Sequence, residues 1–195
     1  MGHSLGETAE QFYSEGYIGD VLRACDAGDL KSVSRLFKNV ENSSKKNPKG
    51  NCKTETLARQ QATSGARLEY KGTGDKEAMR ADAFTFDGGH LVKIDIGYGA
   101  PIAYFPFEGQ HPKYYGELLV GLEEDYGAPT KTYTKPVLNS FGVEHDAHAA
   151  MWLRNKDVII IFQQLGLDAW TRIVGETLEE YNREPQVPQP ANPLQ

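Results

Sequence analysis

Two stretches, Phe84–Ile96 and Met151–Phe162, follow one pattern: an apolar run, a short polar turn and a second apolar run. The pattern predicts a β-hairpin in each, since strand-forming runs joined by a tight polar turn pair with little loop entropy. The two superpose without a gap at a constant offset of 67 residues, and each follows a helix-like segment that ends in Gly-Ala. A chain written this way is expected to fold as two copies of a helix-then-sheet unit around one apolar interior. The predicted class is α+β: an antiparallel sheet covered on one face by helices, in an imperfect two-unit arrangement.

Helical signals dominate the first third. Thr8 with Gln11 forms a capping box that should carry Phe12 inward. Ile18, Val21 and Leu22 mark a second helix running to Cys25, and Asp29 caps a third through Leu30, Val33, Leu36, Phe37 and Val40. A polar loop is expected over 41–50 and a helix from Thr54 to Thr63, stopped by Gly65. A strand at 67–71, a Gly-rich turn at 72–75 and the hairpin over 82–96 follow, with Val92, Ile94 and Ile96 facing one way and Lys93 and Asp95 the other. The longest helix starts after His111-Pro112, carries Tyr115, Leu118, Leu119, Leu122 and Tyr126, and ends at Gly127-Ala128-Pro129. Strands at 148–154, 157–163 and 169–175 and a short helix at 176–182 complete a single domain over 5–183. Residues 184–195 read as a Pro-rich extended tail.

A formal net charge of −6 argues against a nucleic-acid partner, because phosphate binding is driven by Lys and Arg. The one basic cluster, Lys45, Lys46, Lys49 and Lys53, reads as a solvated loop. No apolar run reaches the roughly 18 residues that span a bilayer. The two cysteines, Cys25 and Cys52, lie too far apart for a redox or zinc motif. They fit a disulfide or two reduced thiols. A bond locking two helices across a Lys- and Asn-rich loop is the expected arrangement, and it implies a periplasmic or secreted protein. The opening Met1-Gly2-His3 lacks the features of a secretory leader, so an exported protein would have lost one.

Phe86-Asp87-Gly88-Gly89-His90-Leu91, the helix stop Tyr126-Gly127-Ala128-Pro129, and Leu5-Gly6-Glu7-Thr8-Ala9-Glu10-Gln11-Phe12 resemble secreted bacterial proteins of the β-lactamase-inhibitor-like and outer-membrane-lipoprotein-like group. The resemblance implies helix pairs packed on antiparallel sheet, sometimes in tandem, with a cysteine pair in the helical part. It implies no catalytic residues, and the single cysteine pair and longer helical first half depart from the tandem inhibitor pattern. Val21 to Val33 resembles instead the helical opening of cone-shaped nuclear-transport-factor-2-like domains, which would imply an apolar pocket for a small molecule.

Candidate chemistry is sparse. Glu144-His145-Asp146-Ala147-His148 is the densest group of metal-competent residues, but strand alternation would send His145 and His148 to opposite faces. A hydrolase using this group is a third-ranked possibility, and no metal or cofactor is expected. Ser64 and Ser140 stand in no nucleophile motif. Tyr98, Tyr104, Phe105 and Phe107, among Gly and Pro, form a candidate interaction surface, because aromatics bury much area at small entropic cost. The expected function is a non-enzymatic exported module that binds another protein, through this segment or the sheet's open face.

Overall fold

The computed structural model describes residues 3–37, 47–71, 80–100, 112–138, 144–164 and 169–183. In chain order these form α1 (Ala9–Ser14), α2 (Gly16–Asp26), α3 (Leu30–Leu36), α4 (Pro48–Thr63), β1 (Leu68–Lys71), β2 (Arg80–Asp87), β3 (His90–Ala100), α5 (Pro112–Tyr126), β4 (Lys131–Leu138), β5 (Glu144–Leu153), β6 (Asp157–Gln164), β7 (Ala169–Thr177) and α6 (Leu178–Arg183). The Pro-rich tail, the 72–75 turn, Val40 and most of the 41–50 loop lie outside the described residues.

The seven strands make one antiparallel sheet in the order β1-β2-β3-β7-β6-β5-β4. Its duplication is visible. β1-β2-β3 and β4-β5-β6 run inward from opposite edges, α4 precedes the first set and α5 the second, and β7 closes the seam between them, with no counterpart among the described residues of the first half. The turns between β2 and β3 and between β5 and β6 coincide at the predicted offset. Gly88 and Gly89 supply the first turn with the left-handed backbone it needs, at φ 57° and 81°.

Two cores lie on one face of this sheet. Phe12, Tyr13, Ile18, Leu22 and Ala62 from the first helices pack on Tyr70, Phe84, Phe86 and Leu91. Phe12 meets Phe84 and Phe86 edge-on at 4.9 and 5.0 Å between ring centres, the arrangement aromatic quadrupoles favour. Tyr115, Leu118, Leu119 and Leu122 of α5 pack on Ala150, Trp152, Ile159 and Ile161. The registers Phe84↔Ile94, Ile94↔Gly175 and Gly175↔Ile159 place both cores on the same side. Val33 and Phe37 add α3 to the outside of α2 at Val21.

Several expectations are corrected. α4 begins at Pro48 rather than Thr54, because Asn47 accepts a hydrogen bond from the Gly50 N–H (2.9 Å) and Pro48 fits the first turn. Lys49 and Lys53 are therefore helical. In β3, the pairing shifts so that Leu91 faces Phe86 and Lys93 faces Thr85, leaving Val92 as the extra residue of a bulge. Leu91 takes the core position and is fully buried. A strand not expected, β4, precedes β5. Tyr126 ends the α5 stripe exposed, under the Arg154 guanidinium at 5.1 Å. Helices cover one face only as far as α5. α6 crosses to the other, where the Tyr181 hydroxyl donates to Met151 Sδ (3.7 Å).

Candidate functional site

The residues singled out from sequence fall in three places. Cys25 and Cys52 are bonded, joining the end of α2 to the first turns of α4 with their Cα atoms 5.4 Å apart. Tyr98 lies on β3 opposite Thr171, on the helix-bearing face and half-buried. Tyr104, Phe105 and Phe107 lie outside the described residues, as do Ser140 and His111. Ser64 donates to the Gln61 carbonyl at the end of α4 (2.7 Å).

Glu144–His148 opens β5 as a strand, so alternate residues diverge. His148 shares the helix-side face with Ala150 and Trp152. Its Nδ1 lies 3.1 Å from Thr134 Oγ1, and its ring centre is 6.1 Å from that of Tyr115. No carboxylate pairs with it among the described residues, and no group of three metal-competent side chains occurs among them. Among the described residues the His148 ring is thus oriented by the Thr134 hydroxyl rather than by a carboxylate.

Glu55 of α4 is a buried ionisable group in the helical layer, 6% exposed, whose Oε2 accepts the Tyr70 hydroxyl at 2.9 Å. Burial pushes its carboxyl above the usual Glu range, and the Tyr70 hydrogen bond opposes this only in part. Burial and the Glu55 charge push Tyr13 and Tyr70 well above the usual phenol range. The Tyr13 hydroxyl is buried without a hydrogen-bond partner among the described residues. A cleft of about 330 Å³ opens beside it, among α1, α2 and α4, bordered by Glu10, Arg23, Asp26 and Arg59. Arg59 is held by Asp26 at 3.2 Å and Arg23 by Asp20 at 2.5 Å. Each guanidinium thus faces a carboxylate of the helical layer.

The opposite face of the sheet is different in kind. Registers set its side chains in ranks across the strands. Nearest the hairpin turns run Leu153, Val158, Glu176, Lys93 and Thr85. The next rank is Lys131, Met151, Ile160, Val174 and Asp95, and the one beyond is Tyr133, Ala149, Phe162 and Arg172. α6 folds over the turn end. Glu180, 1% exposed, receives both terminal nitrogens of Arg67, while Arg183 pairs with Asp87. These cations hold the Glu180 and Asp87 carboxyls below their usual range. On β7, Arg172 binds Asp95 through Nε (3.0 Å) and a terminal nitrogen, and its guanidinium lies 5.9 Å from the Phe162 ring centre.

Beyond α6 the face is apolar and open toward β4. Tyr133 is 44% exposed and Leu153 48%, with Met151, Ile160 and Phe162 half-buried between them. Sequence reasoning named this face but none of these residues. The available signal was the alternation Lys131-Thr132-Tyr133-Thr134-Lys135, which puts a large aromatic between two cations on one side of a strand. No protein-family model matches the sequence, and no curated protein matches it.

Proposed function

We propose that this chain is a non-enzymatic, exported binding module that engages another protein through the sheet face opposite α1–α5. One observation carries the reading: Tyr133 and Leu153 stand nearly half exposed on the same face as Met151, Ile160 and Phe162. Isolated exposed apolar side chains are ordinary, but a contiguous group on a rigid sheet favours association. An interface built there would bury aromatic and thioether side chains that lose little entropy on docking. The cysteine bond accords with an oxidising compartment. No helix among the described residues is long and apolar enough to cross a membrane.

Photo-crosslinking tests the reading. A benzophenone side chain at Leu153 is expected to trap a discrete adduct in extract of the native cells. The same group at Val120, 54% exposed on α5, is the control and is expected to trap none. Equal trapping at the two positions, or none at Leu153, overturns the proposal.

A further inference from the structure

We infer that the outer edge of β4 accepts an extended acidic segment as an added strand, with carboxylates two residues to either side of an apolar side chain. The inference rests on the reading above and names the chemistry of the partner.

β4 ends the strand order, so one side of its backbone pairs with β5 and the other has no strand beside it among the described residues. Residues 131–136 are all exposed. An edge of this kind offers main-chain donors and acceptors to any extended chain that reaches it. Side chains then decide which chain that is. Lys131, Tyr133 and Lys135 lie on the open face, in register with Met151, Ala149 and Ala147. On the same face, Lys93 and Arg172 each hold a carboxylate: Lys93 Nζ lies 3.5 Å from Glu176, and Arg172 Nε lies 3.0 Å from Asp95. Neither Lys131 nor Lys135 forms an ion pair among the described residues. In a protein of net charge −6, two of the unpaired cations on this face among the described residues, Lys131 and Lys135, flank one exposed tyrosine on one edge strand, whereas Lys71 of β1 stands at the opposite edge beside Glu69.

A second copy of the chain fits poorly. The self-pairing centred on Tyr133 sets Lys131 directly against Lys135 of the other copy, and like charges directly opposite destabilise a strand pair. Pro136 has no N–H to give, which limits a fully paired segment to 131–135. Side chains on an added strand alternate with the same period of two. The segment that complements the edge therefore carries acid, apolar and acid residues opposite Lys131, Tyr133 and Lys135, in either chain direction. Neutral residues between them meet Thr132 and Thr134 on the other face.

The probes are two fluorescein-labelled peptides of equal composition, one with its two carboxylates spaced in this way and one with them adjacent. Their fluorescence anisotropy is read against the full chain. The spaced peptide is expected to bind about tenfold or more tightly than the other, and to weaken as salt rises. The exposed double change K131E/K135E should cost it about tenfold while leaving the circular dichroism unchanged. N-methylating the spaced peptide on alternate residues should abolish binding in one phase and spare it in the other, as strand addition requires. Equal binding of the two peptides, no binding of either, indifference to K131E/K135E, or sedimentation showing self-association through β4 each overturns the inference. Failure here together with trapping at Leu153 leaves the open-face reading standing. Peptide binding without trapping does the reverse.

Discussion

At the scale of single residues, two positions carry consequences the sequence did not announce. Gly19 sits one turn into α2, where α1 has just ended. A Cβ there would stand 2.5 Å from the Ser14 carbonyl oxygen, which is backbone and cannot rotate away. Gly19→Ala is expected to destabilise the fold by about 1–3 kcal/mol, despite alanine's better helix propensity. Urea unfolding measures it. A stabilised variant would mean that the Glu15-Gly16 junction yields freely. Glu55 makes a pH prediction. Its carboxyl ionises near the ordinary value in the unfolded chain and only at higher pH in the fold. Its penalty is thus absent below the usual Glu range and grows as pH rises through the raised folded value. Glu55→Gln keeps an acceptor for the Tyr70 hydroxyl and removes the charge. The variant should gain on the parent in urea midpoint as pH rises from about 4 to 7. A constant difference across that range would show that Glu55 is ionised within the fold at little cost.

At the scale of elements, legibility followed local chemistry. The Thr8 box, the Asp29 cap and the Gly127 stop each satisfy backbone groups with neighbours in sequence, so one window reveals them. β4 was illegible for the opposite reason. Its strand character comes from pairing with β5, its Pro136 argues locally against a strand, and its exposed polar residues carry no buried alternation. The duplication itself held the missing signal, since β1 moved by the offset of 67 falls on 135–138. Leu91 replaced Val92 in the core because a bulge breaks the period of two, and the bulge answers contacts far away. Gly6 N–H donates to the Leu91 carbonyl (2.8 Å), and Leu91 N–H donates to the Glu7 carbonyl (2.9 Å). The placement of α6 is likewise non-local, since a six-residue helix has little intrinsic stability. It is held by Arg67, which lies 113 positions from Glu180. Glu180→Ala should remove the buried carboxylate that both Arg67 terminal nitrogens bind, and so release α6. The expected loss is about 1–3 kcal/mol, with faster hydrogen exchange in α6 than in β3. Unchanged protection of α6 would show that Tyr181 and the Arg183–Asp87 pair suffice to hold the helix.

At the scale of the whole molecule, the open question is whether two units in one sheet behave as one body. The helical layers are separate clusters, one centred on Phe12 and the other on Trp152. What joins them is β7, paired along its length with β3 on one side and β6 on the other. Strand pairing of that extent leaves no place where the sheet can part without exposing ladder hydrogen bonds, so a single cooperative transition is expected. The cysteine bond provides the test because it lies wholly in the first unit. It closes a loop with a sequence separation of 27, and removing it should free the unfolded chain by about 3 kcal/mol. Trp152 lies in the other unit, buried, with its Nε1–H bound to the Gly127 carbonyl at 2.7 Å. If the two units share one folding equilibrium, Cys25→Ala/Cys52→Ala, made with Trp170→Phe so that Trp152 alone reports, shifts the tryptophan-fluorescence transition as far as the far-ultraviolet circular dichroism transition. If fluorescence keeps its midpoint while the helical signal melts earlier, the units unfold separately and β7 is a seam rather than a bond. In that event, partner binding at the open face would not be coupled to the state of the disulfide. A common shift predicts that reducing the protein weakens every surface the sheet presents, the β4 edge included.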